Sequence, residues 1–168
     1  MFSKIIGTAA IVSGSAFLSR GQINRLKKRK DSLNSFHTAL VMLENEISFS
    51  LNSIDRAFKN ISESVWLSGF FSSLSDKIKD NGVRKAWRLS VEEFSPLLCL
   101  TDNDAKILLI LSSELGITDS KNQIKNINYV LSLLEAAEAE AEKQYASLAV
   151  LYRNIGIGAG LAASILLM

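Results

Sequence analysis

The side chains that can carry out acid–base or nucleophilic chemistry are scarce in this chain. His37 is its one histidine and Cys99 is its one cysteine. A nucleophile needs an adjacent base, and a zinc site needs several histidine or cysteine ligands. Neither arrangement is readily built from one residue of each kind, and no Walker-type phosphate loop is present. We therefore predict a protein that is not an enzyme, with no catalytic residue, no cofactor and no metal.

An acidic stretch near the C-terminus is a second candidate for a functional site. It consists of Glu135, Glu138, Glu140 and Glu142. On a helix these positions spread around the cylinder, which is typical of a solvated face. The alternative interpretation is that they dock a basic surface of a partner protein. The sequence leaves both interpretations open.

Basic residues concentrate in residues 20–30, a segment without a carboxylate. They are Arg20, Arg25, Lys27, Lys28, Arg29 and Lys30. Positive charges that directly follow a hydrophobic segment keep that flank in the cytoplasm. Nucleic-acid binding would call for interleaved aromatic residues or a recognition motif, and the segment has neither. We interpret it as a membrane-topology signal that contacts anionic lipid, with no nucleic-acid partner.

The N-terminal segment before these charges is uncharged from Ile5 to Ser19. A helix over residues 1–19 would be about 28 Å long, close to the thickness of the bilayer hydrocarbon. We therefore predict a transmembrane helix over residues 1–19. A signal peptide cleaved near Ala16 is the alternative, and the sequence leaves open whether the span is retained.

The C-terminal segment is also uncharged, from Asn154 to Met168. We predict a second transmembrane helix over residues 151–168, with Arg153 reaching back to the cytoplasmic headgroups. Gly156 and Gly160 are four residues apart, a spacing that lets helix backbones approach closely in lipid. They indicate packing between the two spans or against a partner, although small residues are also common in membrane helices.

The segment between the spans, residues 20–150, is predicted to be a cytoplasmic helical domain that begins with the basic juxtamembrane segment 20–30. Apolar residues recur in steps of three and four from Leu33 to Ile47 and from Ile124 to Ile155. This spacing predicts two helices that each pack along one seam. The second helix, capped by Asp119, contains no breaker and is predicted to continue into the C-terminal span as a single rod.

Shorter helices are predicted between the two long ones. Gly82 is expected to end one of them, Pro96 another, and Gly116 a helix that covers Ala105 to Leu115. We expect the two long helices to pair antiparallel, with the shorter helices as a cap at the far end. The predicted fold class is all-α, a helical bundle with a long C-terminal helix, flanked by two transmembrane helices.

Three groups of residues carry a resemblance to a known family. They are the segment Leu40 to Ile47, the set Leu115, Gly116, Asp119 and Gln123, and the run Leu151, Tyr152 and Arg153 before a glycine-containing end. In this order and spacing, and over essentially its whole length, the chain resembles the stage III sporulation protein AB family of endospore-forming bacteria. This family is similar to the inner-membrane platform proteins of type II secretion and type IV pilus machines.

The resemblance implies a membrane platform component of the secretion-like channel between mother cell and forespore. It implies a cytoplasmic secretion-type ATPase, stage III sporulation protein AA, as partner, together with other membrane components of the assembly and an oligomeric state within it. The implied location is the outer forespore membrane, with the central domain in the mother-cell cytoplasm. The alternative function is a membrane-anchored helical scaffold or regulatory coiled coil unrelated to secretion.

Overall fold

The computed structural model describes residues 2–49, 54–64, 66–116 and 119–167. Side chains are described for these residues except 2–20, 49, 54–55, 62–64, 153 and 156–167. The helices are α1 (Phe2–Phe49), α2 (Ile54–Ser64), α3 (Ser68–Leu97), α4 (Asp102–Leu111) and α5 (Ser120–Leu167). The described residues contain no strand, which confirms the predicted all-α class.

The first and last helices are by far the longest. α1 and α5 contain 48 residues each, which corresponds to a length of roughly 72 Å at the rise of an α-helix. The prediction that the last helix is one continuous rod from the domain towards the C-terminus is confirmed. At its start, the backbone N–H of Asn122 donates to Oδ1 of Asp119 at 2.9 Å, so Asp119 is the predicted cap.

The two long helices pair antiparallel, as predicted. Lys30 contacts Glu142 at 2.6 Å, His37 contacts Glu135 at 3.7 Å, and Asn128 donates to Glu44 at 2.8 Å. These three pairs, which we call the outer ladder, step forward by seven residues on α1 and back by seven on α5. A seven-residue step returns a helix to nearly the same face after two turns. The ladder therefore fixes the register of the α1–α5 hairpin.

α3 is a folded pair of shorter helices. Gly82 has φ 70° and ψ 161° inside it, a backbone conformation that only glycine adopts readily. The residues on either side of Gly82 fold back on each other, since Lys77 contacts Glu93 at 2.8 Å and the rings of Phe70 and Phe94 are 5.6 Å apart. The predicted break at Gly82 is confirmed, and the second arm ends at Leu97, directly after Pro96.

The core centres on aromatic side chains from α1, α2 and α3. The ring of Phe70 lies 5.0 Å from Phe36 and 5.4 Å from Trp87, edge to face in both contacts. The ring of Phe58 stacks on Trp87 at 5.9 Å. These four residues are fully or almost fully buried. The indole N–H of Trp87 donates to the carbonyl of Leu108 at 2.8 Å, which joins α3 to α4 and satisfies the one polar atom of this cluster.

α4 is shorter than the sequence predicts. It ends at Leu111 instead of Leu115, and Gly116, with φ 75°, lies in the loop that follows. The hydroxyls of Ser112 and Ser113 donate to the carbonyls of Leu109 and Ile110 at 2.6 and 2.8 Å. Serine hydroxyls that bond nearby backbone compete with the helix, so this pair explains the early end.

The predicted membrane spans fall largely outside the description of side chains. Arg20, Arg153, Gly156 and Gly160 belong to this group. Within the described part of the chain, no helix combines the length and the apolar character needed to cross a membrane.

Candidate functional site

Arg29, which lies in the predicted basic segment of α1, contacts residues of both α4 and α5. Arg29 is only 4% exposed, because it lies four and seven residues before Leu33 and Phe36 on the buried face of α1. A guanidinium at such a position must find partners within the protein, because an unpaired buried charge is strongly destabilising.

The main partner of Arg29 is Asp104 at the start of α4. Nε of Arg29 lies 2.7 Å from Oδ2 of Asp104, and Nη2 lies 2.9 Å from Oδ1. The side chain of Asp104 is fully buried. Two parallel N–H···O bonds are the strongest geometry available to an arginine–carboxylate pair. This pair joins residues that are 75 positions apart in the sequence.

The carboxylate of Asp104 has a second role as the cap of its own helix. It accepts the backbone N–H of Thr101 at 2.8 Å, and the hydroxyl of Thr101 accepts the backbone N–H of Asp104 at 3.2 Å. This reciprocal capping box fixes the orientation of the carboxylate that binds Arg29. Asp104 therefore fixes the direction of α4 and attaches its first turn to α1.

α5 completes this cluster. Nη1 of Arg29 donates to the side-chain carbonyl of Gln144 at 3.0 Å, and Nη2 lies 3.8 Å from the carboxylate of Glu140. Gln144 in turn donates to Glu140 at 3.0 Å. We call Arg29, Asp104, Glu140 and Gln144 the Arg29 cluster. Its four members hold α1, α4 and α5 together at one level of the hairpin.

The electrostatics of the cluster favour the charged forms of both central residues. The hydrogen bond to Asp104 raises the pKa of Arg29 further above its already high usual value. Burial by itself would raise the pKa of Asp104, but the hydrogen bonds from Arg29 and Thr101 and the positive charge of Arg29 outweigh it and hold that pKa below its usual range. The pair is therefore ionised at neutral pH.

Comparison with known proteins identifies the family. The family model for stage III sporulation protein AB matches residues 4–168. The chain belongs to the stage III sporulation protein AB family. The stage III sporulation protein AB of Bacillus subtilis (strain 168) is 28% identical over 169 residues, covering 98% of this chain and 99% of that protein. A solved structure of stage III sporulation protein AB (SpoIIIAB) superimposes with a TM-score of 0.66 and 28% identity, covering 71% of this chain and 97% of the solved chain.

These matches confirm the resemblance that the sequence carries. The family name gives a role in sporulation. It names no reaction, and among the described residues no group of three histidine, cysteine, aspartate or glutamate side chains could hold a metal ion. The arrangement of the Arg29 cluster is suited to holding helices together, which is a mechanical role.

The predicted docking glutamates lie close to α1. Glu140 belongs to the Arg29 cluster, Glu142 pairs with Lys30, and Glu135 faces His37. The side chain of Glu138 turns inward and is half-buried. Glu135, Glu140 and Glu142 remain exposed to solvent, in agreement with the first sequence interpretation, a solvated face. Docking of a partner on these residues stays a prediction.

The predicted topology residues divide into two groups. Arg25, Lys27 and Lys28 are exposed on α1. Lys30 is half-buried, with its ammonium 2.6 Å from Glu142 and 5.5 Å from the ring centroid of Tyr145. The hydrogen bond to Glu142 raises the pKa of Lys30. The topology role of the basic segment stays a prediction.

The Arg29–Asp104 pair is the feature that sequence reasoning missed. Two signals pointed to it. Arg29 is in phase with the apolar stripe of α1, and Asp104 stands three residues after Thr101, the spacing of a capping box. Neither signal identifies the partner, because a contact across 75 residues depends on how the helices fold together.

Proposed function

We propose that this chain is a non-enzymatic platform component of the membrane assembly that connects mother cell and forespore. In this function its two terminal helices cross the outer forespore membrane, and the helical domain lies in the mother-cell cytoplasm. There it docks the secretion-type ATPase, stage III sporulation protein AA. The proposed division of the chain is a span over 1–19, a domain over 20–150 and a span over 151–168.

The observation that supports this function most directly is the register of the hairpin. In the outer ladder the residue numbers of each pair add to 172. Continued along the two helices, this register sets Ser19 level with Arg153. Both uncharged runs therefore begin at the same level and extend in the same direction, as two spans of one bilayer must. No part of the sequence pattern alone requires this coincidence.

The length and flanks of the hairpin agree with that arrangement. About 19 residues at the rise of an α-helix span roughly 28 Å, near the thickness of the bilayer hydrocarbon. The exposed bases Arg25, Lys27 and Lys28 follow the first span directly, as the positive-inside rule expects of a cytoplasmic flank. The same register sets Gly156 level with Ala16, and two small residues there allow close approach of the spans.

Topology is the first test. A reporter that is active only in the cytoplasm is fused after Gly116 and, in a second protein, after Met168. Activity at Gly116 and none at Met168 is the expected result. Inactivity at Gly116 would contradict the cytoplasmic domain and the platform function with it. In one variant, Arg25, Lys27 and Lys28 are changed together to Gln. In the control variant, Lys121 and Lys125 on α5 are changed to Gln. Only the first set should lower the activity at Gly116.

Docking of the ATPase is tested by co-purification from sporulating cells. The full chain should retain the ATPase, and replacing Glu135, Glu138, Glu140 and Glu142 together by Gln should weaken that retention. A control that replaces the exposed carboxylates Asp76 and Asp80 by Asn should retain it. A chain that shows the two-span topology but no ATPase would be a membrane-anchored scaffold instead.

A further inference from the structure

Glu138 is a half-buried acidic residue without a structural explanation in the fold described above. It lies on the inward face of α5 between Leu134 and Ala141, both fully buried. It interrupts an otherwise apolar seam. By the register of the outer ladder, the α1 residue at its level is the exposed Asn34, with the fully buried Leu33 and the half-buried His37 next to it on α1. An acidic side chain at such a position lowers the stability of the hairpin unless its charge is compensated.

The compensation is incomplete. Oε1 of Glu138 is buried and accepts no hydrogen bond from any of the described residues. This oxygen loses its hydration and gains no donor in return, and the loss is larger for the ionised than for the protonated group. The seam therefore favours the protonated acid over the carboxylate.

The charged groups around Glu138 modify this preference without reversing it. Burial is the largest effect and raises the pKa of Glu138. The charge of a protonated His37 on α1 lowers it, and the charge of Glu135 on α5 raises it. The buried carboxylate on α4 is Asp104, and the charge of Arg29 balances it. The net direction for Glu138 is upward.

We propose that Glu138 is a proton-operated release point in the α1–α5 hairpin. When Glu138 takes up a proton, the seam is uniformly neutral and the two helices pack tightly. When it loses the proton, a half-buried carboxylate whose enclosed oxygen Oε1 has no donor loosens the hairpin between the Arg29 cluster and the distal end of the domain.

The sign of the pH dependence follows from linkage. A carboxyl that binds its proton more tightly in the folded than in the unfolded state stabilises the fold as the pH falls through its raised pKa to the usual pKa of the group. Most carboxylates that are paired in the native state act in the opposite direction. The full chain is therefore expected to become more stable as the pH falls from neutral to about 4.3, the usual pKa of a glutamate.

The test is thermal unfolding of the full-length chain in detergent micelles, followed by circular dichroism across that pH range. Replacement of Glu138 by Gln keeps the shape and removes the ionisation. It is expected to raise the midpoint at neutral pH by about 2–4 °C and to flatten the rise on acidification. The matched control is Glu142→Gln on the same helix, which should retain the wild-type profile. An E138Q profile parallel to that of the wild type would overturn the proposal.

A second measurement needs no variant. Hydrogen exchange of the amides of residues 134–141 in the wild-type chain, corrected for the intrinsic pH dependence of exchange, should show greater protection at lower pH. The amides of α3 serve as the internal reference and should show no such change. Equal changes in both segments would mean that the pH effect is global, and that Glu138 is not its origin.

Discussion

Arg29 and Lys30 are consecutive residues of the same basic segment, yet they belong to opposite environments. Arg29 is 4% exposed and bound on two sides by Asp104 and the α5 pair Glu140 and Gln144. The side chain of Lys30 is 36% exposed, and its carboxylate partner Glu142 is 54% exposed. One residue step rotates a helix by 100°, which is enough to move a charge from the core to the surface. Charge patterns alone therefore say little about what each charge does.

The physical difference between the two pairs is the surrounding solvent. At the surface, water and salt screen an ion pair, and its contribution to stability is small. In the interior, the loss of hydration makes each charge depend on its partner, so that removal of one leaves the other unpaired. The Arg29 cluster should therefore respond strongly to single substitutions, and the outer ladder weakly.

Replacing Asp104 by Ala gives the largest expected effect. It leaves the guanidinium of Arg29 buried without its main acceptor and also removes the N-cap partner of Thr101. Loss of one partner of a buried ion pair costs about 3–5 kcal/mol. Urea unfolding of the full-length chain in micelles should show a destabilisation of this order.

The double variant Arg29→Met and Asp104→Leu separates charge burial from simple loss of contact. Apolar residues of similar volume leave no unpaired charge, so the double variant is expected to be markedly more stable than Asp104→Ala alone. A double variant as unstable as the single one would show that the pair itself, and not the unpaired charge, accounts for the loss.

The Arg29 cluster is also expected to make the stability of the fold depend on pH. The pKa of Asp104 is held below its usual value, so the stability it contributes is present at neutral pH and is lost as the pH falls through that lowered pKa. The wild type should lose stability below about pH 4. Asp104→Asn should begin from a lower stability and lose less over the same interval. Unfolding midpoints of both proteins between about pH 5 and pH 3 provide the comparison.

This acid loss and the gain proposed for Glu138 occupy different intervals of pH. Glu138 acts between its raised pKa and the usual carboxyl pKa, whereas Asp104 acts between the usual carboxyl pKa and its own lowered pKa. A stability maximum at mildly acidic pH is therefore expected for the wild type. In E138Q the acid-side decline should persist while the rise towards that maximum disappears.

The capping box provides a smaller and more local effect. Thr101→Ala removes the hydroxyl that accepts the N–H of Asp104 but leaves the carboxylate in place. The expected destabilisation is about 1 kcal/mol, typical of the loss of a side-chain cap. Thr101→Ser retains the hydroxyl and should be nearly as stable as the wild type. Equal losses in both variants would assign the effect to the methyl group instead.

The features that could be predicted depend on residues close in sequence, and those that could not depend on contacts between distant residues or on single side chains. The long helices, the break at Gly82 and the cap at Asp119 depend on nearby residues, and all three features are confirmed. The antiparallel hairpin was predictable because both seams are long. The early end of α4 depends on two serine hydroxyls that compete with the helix, and the contact of Arg29 with Asp104 spans 75 residues. The spacing of apolar residues predicts neither the early end of α4 nor this contact.

The outer ladder should give the smallest effect and the sharpest contrast with the Arg29 cluster. Lys30→Gln removes a charge that is adjacent in sequence to Arg29 and that pairs with Glu142 at 2.6 Å. Because this pair is exposed to solvent, the change in the unfolding midpoint is expected to be near the limit of detection and to vanish at high salt. Arg29→Gln, the same substitution one residue earlier, should destabilise strongly at any salt concentration, since it leaves Asp104 buried without its cation. Similar losses in the two variants would mean that the ladder and the cluster act as one unit, and that burial does not separate their roles.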